Sequence, residues 1–103
     1  MSGYTCGSHA GDDLLDLWEY IAAENREAAD RLIDTLYQHF DRLAAFPRLG
    51  HPRSDLLPDH PTLLFWPAGA YLIIYRPDRQ PIEIVAVTHG ARDIPSFLRD
   101  RLA

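Results

Sequence analysis

Lysine is absent from this chain of 103 residues: all ten basic side chains are arginine, set against fifteen acids, for a formal net charge of −5. The charges are unevenly placed. Residues 1–45 hold nine acids and three arginines, whereas residues 46–103 hold six acids and seven arginines. A phosphate contact needs a cation to displace a counterion, so the first part is excluded as a nucleic-acid surface. The second part has room for a small arginine patch, and arginine pairs bidentately with carboxylates as readily as with phosphates. Cysteine occurs once, at Cys6, which excludes an internal disulfide and predicts a small residue in an opening strand. No apolar run approaches the roughly 20 residues that span a bilayer, and the N-terminus lacks a basic-then-apolar leader; a cytoplasmic location is expected. The five histidines, at 9, 39, 51, 60 and 89, have no Cys or His partner at ligand spacing, so neither a metal nor a cofactor is expected.

What is present is a folding sequence, 47% hydrophobic and of a length suited to one domain over residues 1–103. Tyr4 to Ser8 reads as a short strand. Asp12 and Asp13 place negative charge where the dipole of a starting helix favours it, and Leu14, Leu17, Trp18, Ile21 and Ala22 form its apolar stripe. Asn25 is a cap residue between this helix and the next. From Glu27 to Ala45, Ala29, Leu32, Ile33, Leu36, Phe40 and Leu43 recur at helical spacing, so two helices joined by a tight turn should pack as an antiparallel hairpin with Trp18 and Phe40 in the core. Prolines 47, 52, 58 and 61 predict an irregular segment up to Thr62.

A strand is predicted from Thr62 to Trp66, broken at Pro67-Ala68-Gly69. Tyr71, Ile73 and Tyr75 then alternate with Leu72, Ile74 and Arg76, and Ile82, Ile84, Ala86 and Thr88 alternate with Glu83, Val85 and Val87. Pro77 to Pro81 supplies the turn of this hairpin. Its exit carries a dense polar cluster, His89-Gly90-Ala91-Arg92-Asp93, and Asp93 is placed as N-cap of a short last helix containing Pro95, Phe97 and Leu98. The order predicts an α+β fold: an N-terminal helical hairpin packed on a small antiparallel sheet, with a short C-terminal helix.

This order, together with four sequence features, resembles the ParE branch of the RelE/ParE toxin superfamily. The features are Ala10 to Asn25 (AGDDLLDLWEYIAAEN), Ala28-Ala29-Asp30-Arg31-Leu32, Phe46-Pro47-x-x-Gly50-x-x-Arg53, and Tyr71-Leu-Ile-Ile-Tyr75-Arg76 followed by His89-Gly-Ala-Arg92-Asp93. The resemblance implies a toxin of a type II toxin–antitoxin (plasmid stabilisation) module. It also implies a hetero-oligomer with a small ParD-like antitoxin whose flexible C-terminal segment wraps the toxin. ParE-like members inhibit DNA gyrase by protein binding; RelE-like members cut mRNA on the ribosome.

Metal-independent RNA cleavage needs a base, an acid and cations for the phosphorane charge. RelE-like nucleases place an arginine early in the hairpin and a tyrosine or histidine in the last helix; here those positions are Leu72 and Leu98. A chain of net charge −5 would also approach the anionic ribosome against repulsion. The expectation is therefore a gyrase-binding toxin that is not an enzyme and does not itself bind nucleic acid. Endoribonuclease activity, or a detoxified relative that only binds antitoxin, are the alternatives.

The expected contact set for target or antitoxin is Arg53, Arg76, His89 and Arg92, extended by Arg99 and Arg101 along the last helix. A structural role competes for two of these, with His89 capping the strand end and Arg92 anchoring the last helix through Asp93 or Glu83. ParE-like chains usually carry arginines where this one has Leu64 and Ala70. That replacement raises an apolar groove at Leu64, Phe65 and Trp66 as an antitoxin site; the competing reading turns them toward the helices.

Overall fold

A computed structural model of the chain describes residues 3–99 and 101–102. The elements in order are β1 (Tyr4–Cys6), α1 (Ser8–Ala22), α2 (Arg26–Ala45), β2 (His51–Pro52), β3 (Leu64–Ala68), β4 (Tyr71–Arg76), β5 (Ile82–His89) and α3 (Ile94–Leu98). The strands form one sheet in the order β1-β5-β4-β3-β2. β2 to β5 pair antiparallel, while β1 joins parallel to β5, so the sheet is mixed within the expected α+β class.

The helices begin where the backbone is first satisfied. α1 starts at Ser8, four residues ahead of the expected acidic start, because Gly7 donates to the Ile84 carbonyl and its own carbonyl accepts from Gly11. Asp12 and Asp13 thus lie inside the helix and cap nothing. Asn25 begins α2, its side chain accepting from the Ala28 amide at 2.9 Å. Ala29, Leu36, Phe40 and Leu43 on the inner face of α2 are fully buried.

One core lies between the helical hairpin and the sheet, built from Leu14, Leu36, Phe40, Leu43, Ile73, Tyr75, Ile82, Ile84 and Val87 among others. Leu64 belongs to it, and Trp66 packs against it. A second core covers the opposite face, where Leu57, Leu63, Phe65, Ile74, Val85, Ala86, Ile94 and Leu98 are closed over by the loop before β3 and by α3. Trp18, expected in the core, is only half-buried; its indole Nε1 donates to Asp30 at 2.8 Å near the rim of the hairpin.

Two departures from strict alternation matter. Ile74 pairs with Ala86 but Tyr75 pairs with Ile84, so Val85 is an extra residue in β5. This bulge turns Val87 to the helix side and Ala86 to the other, against the expected face of each. In β3, Pro67 is inside the strand and pairs with Leu72, at a position beyond the reach of β2, where an edge tolerates a residue lacking N–H. The break falls one turn later at Gly69, whose φ of +63° suits glycine. His51 and Pro52, expected to be irregular, form the short outer strand.

Candidate functional site

The hairpin exit brings polar and aromatic side chains together. β5 ends at His89, the chain turns through Gly90 to Arg92, and Asp93 then caps α3, accepting from the Ser96 amide at 3.4 Å and from the Ser96 hydroxyl at 3.1 Å. The turn is held by Gly90 N donating to Ala70 O and by the Ala91 amide donating to His89 Nδ1 at 3.2 Å. Nδ1 is the acceptor in that bond, which leaves Nε2 as the outward nitrogen of the ring. The ring stands edge-on to Tyr71 with centroids 5.9 Å apart.

Beside His89, the ring of Phe97 lies under two guanidinium groups, with Arg92 at 4.6 Å and Arg101 at 4.1 Å from its centroid. Such stacking fixes two arginines that would otherwise be disordered on the surface. Arg92 therefore anchors α3 through Phe97; the pairing expected with Asp93 or Glu83 is not the one formed, since Glu83 faces Arg76 and Arg79. Arg101 reaches further. Its two terminal nitrogens donate to Asp13 Oδ2 at 2.7 Å and Oδ1 at 2.6 Å, and Oδ2 also accepts from the Val87 amide at 2.9 Å. That amide lies on the edge of β5 beyond the end of β1, which pairs only as far as Ile84. Asp13 thus satisfies an open strand edge and clamps the C-terminal segment to α1.

These residues line a cleft of about 380 Å³ whose other wall is α1, with Asp16, Leu17 and Tyr20. Tyr20 is 83% exposed. The cleft has cationic, anionic and aromatic groups in fixed positions and an open mouth, an arrangement that suits recognition of a protein surface. Asp13 and Tyr20 were not among the expected residues. The signal for Asp13 was a carboxylate three residues after Ala10 and four before Leu17, on the buried side of the helix, where an acid must find a partner.

The remaining expected residues lie elsewhere. Arg76 and Glu83, 3.2 Å apart, sit at the turn end of the hairpin, roughly 20 Å along β5 from His89 at about 3.3 Å per residue. Arg53 is exposed and pairs with Asp55 at 3.1 Å, a hydrogen bond that holds the Asp55 carboxyl below its usual range. Arg99 lines a separate cavity of about 270 Å³ between α3 and the loop before β3, with Leu57, His60 and Leu102. Leu64 is buried beneath the helices and Phe65 beneath the opposite layer, so the groove expected at Leu64, Phe65 and Trp66 does not exist. Alternation sends neighbouring residues of β3 to opposite cores. Trp66 remains half-buried, donating to His39 Nδ1 at 3.1 Å with Arg42 over its ring. Among the described residues no group of three or more His, Cys, Asp or Glu is arranged to hold a metal, and no helix is long and apolar enough to cross a membrane.

Comparison with known proteins places these features in context. Residues 8–94 match the family model of the ParE toxin of the type II toxin–antitoxin system parDE. A chain of a structure described as the chromosomal ParDE TA system from P. aeruginosa superposes with a TM-score of 0.68 at 15% identity, covering 86% of this chain and 96% of that one. At that identity the likeness is one of fold. A search of curated proteins gave no match.

Proposed function

This chain belongs to the ParE toxin family of type II toxin–antitoxin systems, and from that premise we propose that it arrests growth by binding DNA gyrase and is neutralised by a ParD-like antitoxin. On this reading it acts by occupying its target and not by catalysis. The observation that carries it is the cleft between α1 and α3, where Arg92 and Arg101 are stacked on Phe97 opposite the exposed Tyr20. Arginine and tyrosine at a cleft mouth are among the residue types that dominate protein–protein binding energy. A nuclease would instead want its cations free to meet phosphate. Arg101 is committed to Asp13, and His89 Nδ1 is taken up by the Ala91 amide.

The test is a gyrase reaction on plasmid DNA with ATP, scored for supercoiling and for linearised product. Inhibition or accumulated linear DNA, reversed by antitoxin, is the expected result. An unaffected gyrase reaction together with site-specific mRNA cuts on ribosomes would replace this reading with the endoribonuclease one. A silent result in both assays with tight antitoxin binding would identify a detoxified relative.

A further inference from the structure

Arg92 is the exposed cation of the α1–α3 cleft, and its place is set from the other end of the sequence. It stands on the turn between β5 and α3, and among the described residues it pairs with no acid. An arginine so placed ordinarily samples many rotamers, and a partner that binds it must remove that freedom. Here its guanidinium rests on the Phe97 ring, 4.6 Å from the centroid, and the Arg101 guanidinium lies 4.1 Å from the same centroid. Phe97 packs against the second core but is only half-buried, so Arg101 steadies the part of the ring that the core does not reach.

Arg101 in turn is fixed by Asp13. The pair is bidentate and charge-assisted, and Asp13 Oδ2 ties it to the sheet by accepting from the Val87 amide of β5. A line of contacts thus runs from the backbone of β5 through Asp13, Arg101 and Phe97 to Arg92. The Asp13 side chain is 7% exposed, too deep to touch a protein partner itself. Its influence on binding passes through the arginines. We propose that Asp13 is a positioning residue: through Arg101 and Phe97 it fixes the orientation in which Arg92 meets a target. A side chain ordered before binding costs less to immobilise, so the carboxylate adds affinity without a contact of its own.

The inference rests on the reading of the cleft as the surface that meets gyrase, and the experiment separates the two. Asp13→Asn is made in the full-length parent and in Arg92→Ala, and each chain is assayed for half-inhibition of gyrase supercoiling. The order parameter of the Arg92 Nε–H bond is measured by NMR on the parent and on Asp13→Asn, without gyrase. The new carboxamide oxygen can keep the Val87 amide, but its NH2 then replaces Oδ1 and faces an Arg101 nitrogen, donor to donor. Asp13→Asn should raise the half-inhibiting concentration about tenfold in the parent. In Arg92→Ala the same change should have less than about a twofold effect, because residues acting along one line of contacts are not additive. The Arg92 order parameter should fall by about a third in Asp13→Asn. Arg101→Ala breaks the same line while leaving the bond between Asp13 and Val87, so it should repeat these results even if Asp13→Asn fails to fold. A loss of inhibition equal in both backgrounds reports a smaller folded fraction and would overturn the proposal. So would an unchanged Arg92 order parameter, whatever the target. A parent chain that leaves gyrase unaffected would overturn the gyrase reading alone, and the order parameter would then decide whether Asp13 positions Arg92.

Discussion

At the scale of single residues, Tyr75 and Gly50 form a tight joint. Tyr75 is fully buried; its hydroxyl accepts from the Gly50 amide at 2.9 Å and donates to the Pro47 carbonyl at 2.7 Å. This ties the loop after α2 to the middle of the sheet, and it explains why glycine stands at position 50. A β-carbon there would lie 2.7 Å from the Tyr75 hydroxyl and 3.0 Å from Leu64 Cβ, neither of which has room to retreat. Gly50→Ala should therefore cost about 1–3 kcal/mol by overpacking, read as a lower urea midpoint with unchanged slope. Tyr75→Phe removes the acceptor for a buried amide, a loss of about 1–3 kcal/mol near neutral pH. Burial pushes the Tyr75 hydroxyl above its ordinary value, partly offset by the Gly50 bond. A raised folded pKa contributes stability that is whole below the unfolded value of about 10 and is lost as pH rises through the folded one. The parent chain should thus lose stability above about pH 10, and Tyr75→Phe should show a shallower alkaline loss in melts taken between about pH 9 and 12.

At the scale of elements, the C-terminal segment is held by one side chain from the other end of the sequence. Asp13 of α1 serves the Val87 amide of β5 and the Arg101 guanidinium together, and both charged groups are largely out of water. Removing the carboxylate leaves an unpaired strand amide and a half-buried cation. Asp13→Ala is expected to cost about 3 kcal/mol in chemical denaturation, toward the lower end for a broken buried pair because Arg101 is close enough to the terminus to turn outward. The same variant should free α3 earlier than the sheet, seen as faster amide exchange for residues 96–99 than for β4. By contrast Arg53→Ala, which loses only an exposed pair with Asp55, should leave the melting temperature within about 2 °C of the parent.

At the scale of the whole molecule, a cleft and a groove lie on either flank of α1. The cleft toward α3 holds Tyr20, His89, Arg92 and Phe97; the groove toward α2 holds Gly11, Leu15 and Tyr37. If the cleft meets the target, Tyr20→Ala with Arg92→Ala should raise the concentration needed for half-inhibition of gyrase by at least about 30-fold. Fold stability should fall by no more than about 1 kcal/mol, since both side chains are exposed and only the Arg92 stacking on Phe97 is lost. Arg76→Ala, at the far end of the hairpin, should leave that inhibition unaltered. Retained inhibition by the double variant would move the target surface elsewhere.

By itself the sequence determined the helical hairpin, the Pro77–Pro81 turn, the caps at Asn25 and Asp93, and the assignment to the ParE family. Each of these follows from signals within a few residues of one another: apolar period, cap chemistry, turn composition and local motif. The early start of α1, the β5 bulge at Val85, the parallel seat of β1 and the clamp between Asp13 and Arg101 were decided by the tertiary structure. All of these depend on which backbone groups meet across the fold. Gly7 begins a helix because Ile84 accepts its amide, and Asp13 finds a partner in its buried place because Arg101 arrives from 88 residues away. The arginines show the same division most plainly. Their number and type are written in the chain, but whether each is stacked, paired or open is set by partners that only packing brings within reach.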